Sequence, residues 1–139
     1  MTPVGHQRLS RAQEAFANQL LDELCAIQGV EKAIVTSCQG FPLFSCPPLE
    51  TRSDLKEALF TAAMIVGLMA AVAKSSEQLG RQVCELLTIH CVDDYIVVCG
   101  AIHGVALAVS ATKNCRLGFL HHIVRQYEKK LGSLLNDGS

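Results

Sequence analysis

The residues that could do chemistry in this chain are histidines, cysteines and paired aspartates, and their spacing does not form a site. His121 and His122 are adjacent on a predicted helix, where neighbouring side chains point about 100° apart and cannot both face one site. His90 and Cys91 lie on a predicted strand and point to opposite faces. A metal or thiol cluster of His90 and Cys91 with Cys99 would therefore need further ligands from distant positions.

Two further candidates are explained by turn formation. Asp93 and Asp94 resemble paired carboxylates, but two aspartates between predicted strands are ordinary turn residues. His103 precedes Gly104 in a second short connection between strands. A residue at this position of a tight turn is explained by the backbone angles that the turn requires. No GxxxxGK[ST] pattern occurs, so no phosphate-binding loop is predicted. We expect a protein without enzymatic activity, bound metal or cofactor.

The seven cysteines are the most numerous reactive side chains. Their number is odd and no CxxC pair occurs, so neither a disulfide framework nor a zinc site is indicated. We expect them to be reduced and mostly small core residues, while a cysteine-based redox or metal sensor stays open as an alternative. They occupy positions 25, 38, 46, 84, 91, 99 and 115.

Composition predicts one globular domain over residues 1–139, with its core at about 10–135. Of the 139 residues, 50% are hydrophobic and 18% charged, and the net charge of −1 gives no field that would gather nucleic acid. The uncharged stretch of the predicted second helix, residues 58–73, is shorter than a bilayer span, and no cleavable signal opens the chain. We therefore expect a cytoplasmic protein without membrane insertion.

A first helix is predicted over residues 11–28. Ser10 and Gln13 form a capping-box pattern, and Gly29 stands where a left-handed residue would end the helix. Apolar residues at helical spacing predict the face that packs on a core: Leu9, Ala12, Phe16, Leu20, Leu24 and Ile27.

Two strands follow, over residues 30–37 and 41–46, with Gln39-Gly40 as the turn between them. Because Pro42 lacks the N–H that a central strand donates, the second strand is predicted at a sheet edge.

The second helix is predicted to begin near Ser53 or Asp54 and to continue to about residue 79. One of its faces is predicted to be core: Leu55, Ala58, Ala62, Ile65, Met69, Val72 and Leu79. The other is polar at both ends and apolar in the middle: Lys56, Phe60, Ala63, Met64, Gly67, Ala70, Ala71, Lys74 and Gln78. Such a stripe is typical of a surface whose centre is covered by a partner.

Three short strands and a helix complete the chain. The strands are predicted over residues 83–91, 95–101 and 105–110, and their short connections require antiparallel neighbours. The last helix is predicted to begin near Asn114, with one apolar face: Leu117, Leu120, Val124, Tyr127, Leu131 and Leu134.

With the order α-β-β-α-β-β-β-α, the chain resembles the Roadblock family, small proteins named for a dynein light chain. The resemblance covers residues 20–131 and rests on spacings of glycine and apolar residues. Gln39 departs from the acidic residue common at that position. The matching positions are Leu24 through Gly29-Val30, Ala33-Ile34-Val35 with Gly40 and Leu43, the alanine-rich second helix, and Asn114-Cys115-Arg116-Leu117-Gly118.

The resemblance implies an α+β fold of the α/β sandwich type. It would contain a five-stranded antiparallel sheet in the order 2-1-5-4-3, with the long second helix on one face and the other two helices on the opposite face. Family members pair through the second helix and the third strand. The sequence fits such a pairing. Gly67 and Ala71 would allow close approach of another helix, and the third strand contains no proline that would block edge pairing.

The resemblance further implies a non-enzymatic homodimer that binds a small Ras-like GTPase and modulates its nucleotide cycle. A structural subunit of a motor or membrane scaffold complex is the alternative within the same fold. The residues predicted at the dimer or partner interface are Lys56, Phe60, Ala63, Met64, Gly67, Ala70, Ala71, Lys74, Leu86, Thr88 and His90.

Overall fold

The structure, a computed structural model, describes residues 10–78, 80, 86–92, 95–100 and 105–136. Within these residues, three helices and five strands follow one another in the predicted order. Their bounds are α1 Arg11–Cys25, β1 Val30–Ser37, β2 Pro42–Cys46, α2 Arg52–Gln78, β3 Leu86–His90, β4 Tyr95–Gly100, β5 Val105–Thr112 and α3 Leu117–Asn136.

The strands form one antiparallel sheet in the order β2-β1-β5-β4-β3. Strand β2 lies at one edge, as Pro42 predicted, and β3 lies at the other, where it ends the meander β3-β4-β5. The connection from β1 to β2 is tight, because Ser37 and Gly40 form a turn in which Gly40 has a φ of 88°.

The two faces of the sheet carry different layers. Helices α1 and α3 pack on one face, and side chains of β1 and β5 complete the larger core there. Helix α2 packs on the other face through a smaller core of Ile65 and Met69 against Ala106 and Ala108 of β5. Alternate residues of β5 thus face the two cores, as the pleat of a strand requires.

The helix starts follow the capping signals. In the predicted capping box of α1, the Gln13 N–H donates to Ser10 Oγ at 3.1 Å and the Ser10 N–H donates to Gln13 Oε1 at 2.8 Å. Helix α2 begins at Arg52, slightly earlier than predicted, because Thr51 acts as its cap. The Asp54 N–H donates to Thr51 Oγ1 at 3.0 Å, and the Thr51 N–H donates to Asp54 Oδ2 at 3.2 Å.

The start of α3 was predicted too early. The chain from Thr112 to Cys115 forms a turn in which the Cys115 N–H donates to the Thr112 carbonyl at 3.0 Å. The helix begins at Leu117, with the Leu120 N–H donating to the Arg116 carbonyl. Strand β5 also extends to Thr112, whose N–H donates to the Gly29 carbonyl at 2.8 Å. The longer strand and the turn that follows it therefore move the start of α3 beyond the predicted cap at Asn114.

Two large side chains predicted in the core are exposed. Phe16 is 50% exposed because the buried stripe of α1 is centred on Ala17, Leu20, Leu21 and Leu24, about a quarter-turn away. Leu55 is 46% exposed near the beginning of α2. The other predicted core residues of α2 are buried at Ala58, Ala62, Ile65 and Met69, and partly buried at Val72.

The predicted sandwich description needs correction, although the fold is α+β. On its face of the sheet, helix α2 makes its principal contacts with β1, β2 and β5, and β3 contributes Leu87 to this layer. Residue 91 lies beyond β3, and residues 83–85 lie outside the described residues, as do Leu79 and the predicted turns at 93–94 and 103–104. Among the described residues, the α2 layer thus covers its face of the sheet unevenly.

Candidate interaction surface

The predicted stripe on α2 is exposed along its whole length. We call it the α2 stripe, and Phe60, at 71% exposed, is its largest side chain. All of its predicted residues are exposed: Lys56, Phe60, Ala63, Met64, Gly67, Ala70, Ala71, Lys74 and Gln78. Because the opposite side of the helix packs on the sheet, the α2 stripe points away from the core.

Small residues form the middle of the α2 stripe. A Cβ atom added to Gly67 would meet no described atom within 4 Å. With Ala63, Ala70 and Ala71 around it, this position presents a shallow helix surface that another backbone could approach closely. Lys56 and Lys74 lie towards the two ends. The stripe therefore has the apolar centre and polar rim of a recognition surface.

Further exposed apolar side chains beside the stripe were not predicted as interface residues. Leu59 and Leu68 are exposed on α2, and Leu49 is exposed on the connection that leads into it. Leu59 and Leu68 belong to neither of the two faces that helical periodicity assigned. Their exposure depends on how α2 sits on the sheet, and the sequence contains no separate signal for that.

A groove of about 550 Å³ runs between α2 and the sheet and adjoins the α2 stripe at Met64. Ile34, Ala108 and Ile89 contribute apolar side chains from three strands. Three carboxylates and one lysine also line the groove: Glu50, Asp54, Glu57 and Lys32.

Asp54 is held in its ionised form at this groove. The backbone N–H groups of Glu50 and Thr51 donate to its carboxylate, each at 3.2 Å, and together they lower its pKa, as Lys32 does to a smaller degree. The groove therefore presents a negative charge beside an apolar surface.

The predicted β3 residues do not share a face with the α2 stripe. Leu86 packs on the core beneath α1 and α3, and Thr88 hydrogen-bonds to His121 of α3. His90 has the same parity in the strand and is exposed. Leu87 instead packs on the α2 side, and Ile89 lines the groove there. The α2 stripe and β3 could therefore belong to one interface only through the backbone edge of β3, and not through these three side chains.

The hydrogen bond between Thr88 and His121 ties β3 to α3. Thr88 Oγ1 and His121 Nε2 are 2.9 Å apart in a partly buried contact. Thr88→Val keeps the side-chain shape and removes this bond, so we expect a loss of about 1 kcal/mol in the free energy of unfolding. Urea denaturation would measure it. Thr61→Val on α2 is the matched control and should change the value by less than half as much; equal losses would contradict this role for the bond.

The candidate chemical residues are not brought together. His121 is partly buried, its neighbour His122 is exposed, and His90 is exposed at the sheet edge. Within the described part of the chain, no group of three or more histidine, cysteine or acidic side chains could hold a metal ion. Cys91 lines the groove. The arrangement supports binding through surface shape and charge.

Helix α2 is also long and apolar enough between Arg52 and Ser75 to cross a membrane, judged by length and composition alone. One such helix is weak support for a membrane span, because core helices of soluble proteins have the same composition. The structure buries only 22% of its most apolar window, because one face of α2 packs on the sheet and the opposite face is exposed. Ile65 and Met69 of α2 pack on the sheet, and a membrane-spanning helix would have to give up this contact. The packing therefore favours α2 as a surface helix of the protein over a membrane span.

The sequence pattern of the Roadblock/LC7 domain family matches residues 16–111, which run from within α1, through α2 and the first four strands, almost to the end of β5. The chain belongs to this family. The resemblance drawn from glycine and apolar spacings is thereby confirmed. Comparison with curated protein sequences gives no significant match.

Solved structures with this Roadblock/LC7 fold come from several bacteria. A Roadblock/LC7 domain from Streptomyces avermitilis is 20% identical, with a TM-score of 0.71, and the match covers 86% of this chain and 97% of that one. An MglB structure with a tetrameric arrangement is 16% identical, with a TM-score of 0.78 and coverage of 96% and 98%. The gliding protein MglB from Thermus thermophilus is 18% identical, with a TM-score of 0.68 and coverage of 96% and 95%. At these identities the likeness establishes a shared fold.

Proposed function

We propose that this Roadblock/LC7 protein is a non-enzymatic, cytoplasmic homodimer that binds a small Ras-like GTPase and modulates its nucleotide cycle. The observation that carries the proposal is the α2 stripe, an exposed helix face with an apolar centre, in a sheet whose edge strand is β3. Monomeric soluble proteins rarely leave such a surface uncovered. A second copy and then a GTPase would cover it.

The geometry supports a two-part interface. From Lys56 to Lys74 the α2 stripe extends for roughly 27 Å at the rise of an α-helix. Edge-to-edge pairing of β3 with its copy would add backbone hydrogen bonds, because an edge strand leaves N–H and C=O groups available. A stable dimer buries more than roughly 1,000 Å² in total, which a helix face and a strand edge can supply together.

The proposed action on the GTPase is through shape and charge. The α2 stripe contributes apolar and small side chains with lysines towards its ends, and the adjoining groove contributes carboxylates. None of these groups is arranged with a base or a nucleophile as covalent catalysis requires. Docking on the switch regions of a GTPase would favour one of its conformations, and differential affinity for the two nucleotide states would shift its cycle.

The experiment measures the affinity of this protein for purified small Ras-like GTPases of the source organism. Each GTPase is loaded with GDP or with a GTP analogue and titrated with the parent or a variant. Phe60→Ala should weaken binding roughly thirtyfold if Phe60 is an anchor, a loss of about 2 kcal/mol. The matched control is Phe119→Ala, which removes a 49% exposed phenylalanine from α3 on the other side of the sheet. Light scattering must first show that both variants keep the oligomeric state of the parent.

Two results would contradict the proposal. Unchanged affinity in a dimeric Phe60→Ala protein would exclude the α2 stripe as the docking surface. Absence of binding to every GTPase in both nucleotide states would favour the scaffold alternative. In that case β3 would be expected to accept an extended peptide by strand addition, because it is a sheet edge.

A further inference from the structure

Two cysteines meet where the ends of α1 and β2 come together. Cys25 is the last residue of α1, and Cys46 is the last residue of β2. Cys25 Sγ donates to the Cys46 carbonyl oxygen at 3.2 Å, and Cys46 Sγ lies 3.7 Å from Asp22 Oδ1. Both side chains are partly buried against the larger core. Neither belongs to the α2 stripe or to β3.

The surroundings of Cys25 keep its side chain protonated. Burial is the largest cause that raises the pKa of Cys25, and the Cys46 thiol and the Asp22 carboxylate raise it further, to about 12. Cys25 is therefore a thiol at neutral pH. Of the other described cysteines, Cys38 is exposed, Cys115 is buried beside Gly29 and Cys91 lines the groove under α2.

We propose that Cys25 and Cys46 are an oxidation site, at which a hydroperoxide joins the two thiols in an intramolecular disulfide. The Cys46 sulfur attacks the O–O bond, becoming a sulfenic acid as the peroxide oxygen leaves in water. The Cys25 sulfur then displaces the sulfenic hydroxyl, which leaves as a second water with the Cys25 proton. Two thiols and one hydrogen peroxide thus give one disulfide and two water molecules.

The same contacts predict how the pair reacts. Since the thiolate is the nucleophile, Cys25 in its thiol form reacts more slowly than an exposed low-pKa cysteine would. Once formed, the disulfide resists reduction at Cys25, because burial gives the Cys25 thiolate no stabilisation. Cys25 and Cys46 are 21 positions apart. The bond would fasten α1 to β2 just before Pro47 and Pro48, which line the groove under α2.

The experiment treats the purified protein with hydrogen peroxide, blocks remaining thiols by rapid alkylation and measures intact and peptide masses. We expect loss of about 2 Da for the disulfide and a peptide joining Cys25 to Cys46. Cys25→Ser and Cys46→Ser should each abolish this peptide. Cys38→Ser, which removes an exposed thiol of the adjacent turn, is the matched control and should retain it.

A thermal measurement separates this site from incidental oxidation. The oxidised parent should unfold at a temperature about 5 °C or more above the reduced parent, because the bond closes a loop of the unfolded chain. Cys46→Ser should show no such increase after the same treatment. A cross-linked peptide that instead contains Cys38, or seven alkylated thiols after complete exposure to peroxide, would overturn the proposal.

Discussion

Gly67→Glu should convert the proposed homodimer into a folded monomer. Gly67 lies in the centre of the α2 stripe, and a Cβ atom added to it would have no described atom of the same chain within 4 Å. The change therefore leaves the single chain unstrained and places a charge where the second copy would pack. A buried charge without a partner costs about 3–5 kcal/mol, so dimer affinity should fall at least roughly a hundredfold.

The symmetry of the proposed dimer strengthens this effect, because both copies would carry the charge at one isologous interface. Sedimentation velocity over a range of protein concentrations would measure it. Gly118→Glu is the matched control, since Gly118 also lies in a helix with open space around its Cβ position among the described residues. Glutamate is the better helix former by about 0.7 kcal/mol, so neither change should unfold the chain. A dimer unaffected by Gly67→Glu would rule out pairing through α2.

Gly29→Ala should lower the free energy of unfolding by about 3 kcal/mol. Gly29 follows α1 with a φ of 93°, a conformation that side chains with a Cβ disfavour. A Cβ at this position would also lie 3.0 Å from the Cβ and 3.2 Å from the backbone nitrogen of Cys115. The Cys115 nitrogen is fixed by its hydrogen bond to the Thr112 carbonyl, so it cannot move aside cheaply.

Gly80→Ala separates the two contributions. Gly80 has a φ of 71°, and an added Cβ there meets no described atom within 4 Å. Its substitution should cost only the backbone strain, about 1–2 kcal/mol. Chemical denaturation of both variants measures the difference, which reports the contact with Cys115. Equal losses at the two positions would mean that this contact imposes no cost.

The sequence by itself determined the elements and their order, because hydrophobic periodicity and capping act between near neighbours. The capping box of Ser10 and Gln13 predicted the start of α1, and Pro42 predicted that β2 lies at an edge. The face of α2 that packs on the sheet was also predicted at four buried positions: Ala58, Ala62, Ile65 and Met69. The exposed α2 stripe follows from the same periodicity.

The tertiary structure alone decided which faces meet. Alternation placed Leu86, Thr88 and His90 on one face of β3, but only the sheet shows that this face looks towards α3. Helical spacing likewise did not indicate that Phe16 lies at the margin of its stripe. These outcomes depend on the packing angles of whole elements, which no local pattern of residues specifies.

The contacts of Gly29 and of the two cysteines also depend on the tertiary structure. Gly29 was predicted as a helix terminator from its position after α1, whereas its approach to Cys115 arises because β5 extends along β1 to Thr112. Cys25 and Cys46 contain no pairing motif, and they meet only because α1 packs across the end of β2. Local preferences thus determined the elements. Contacts between residues distant in the sequence depend on how the layers pack, because the burial of apolar surface does not depend on how far apart the residues are in the sequence.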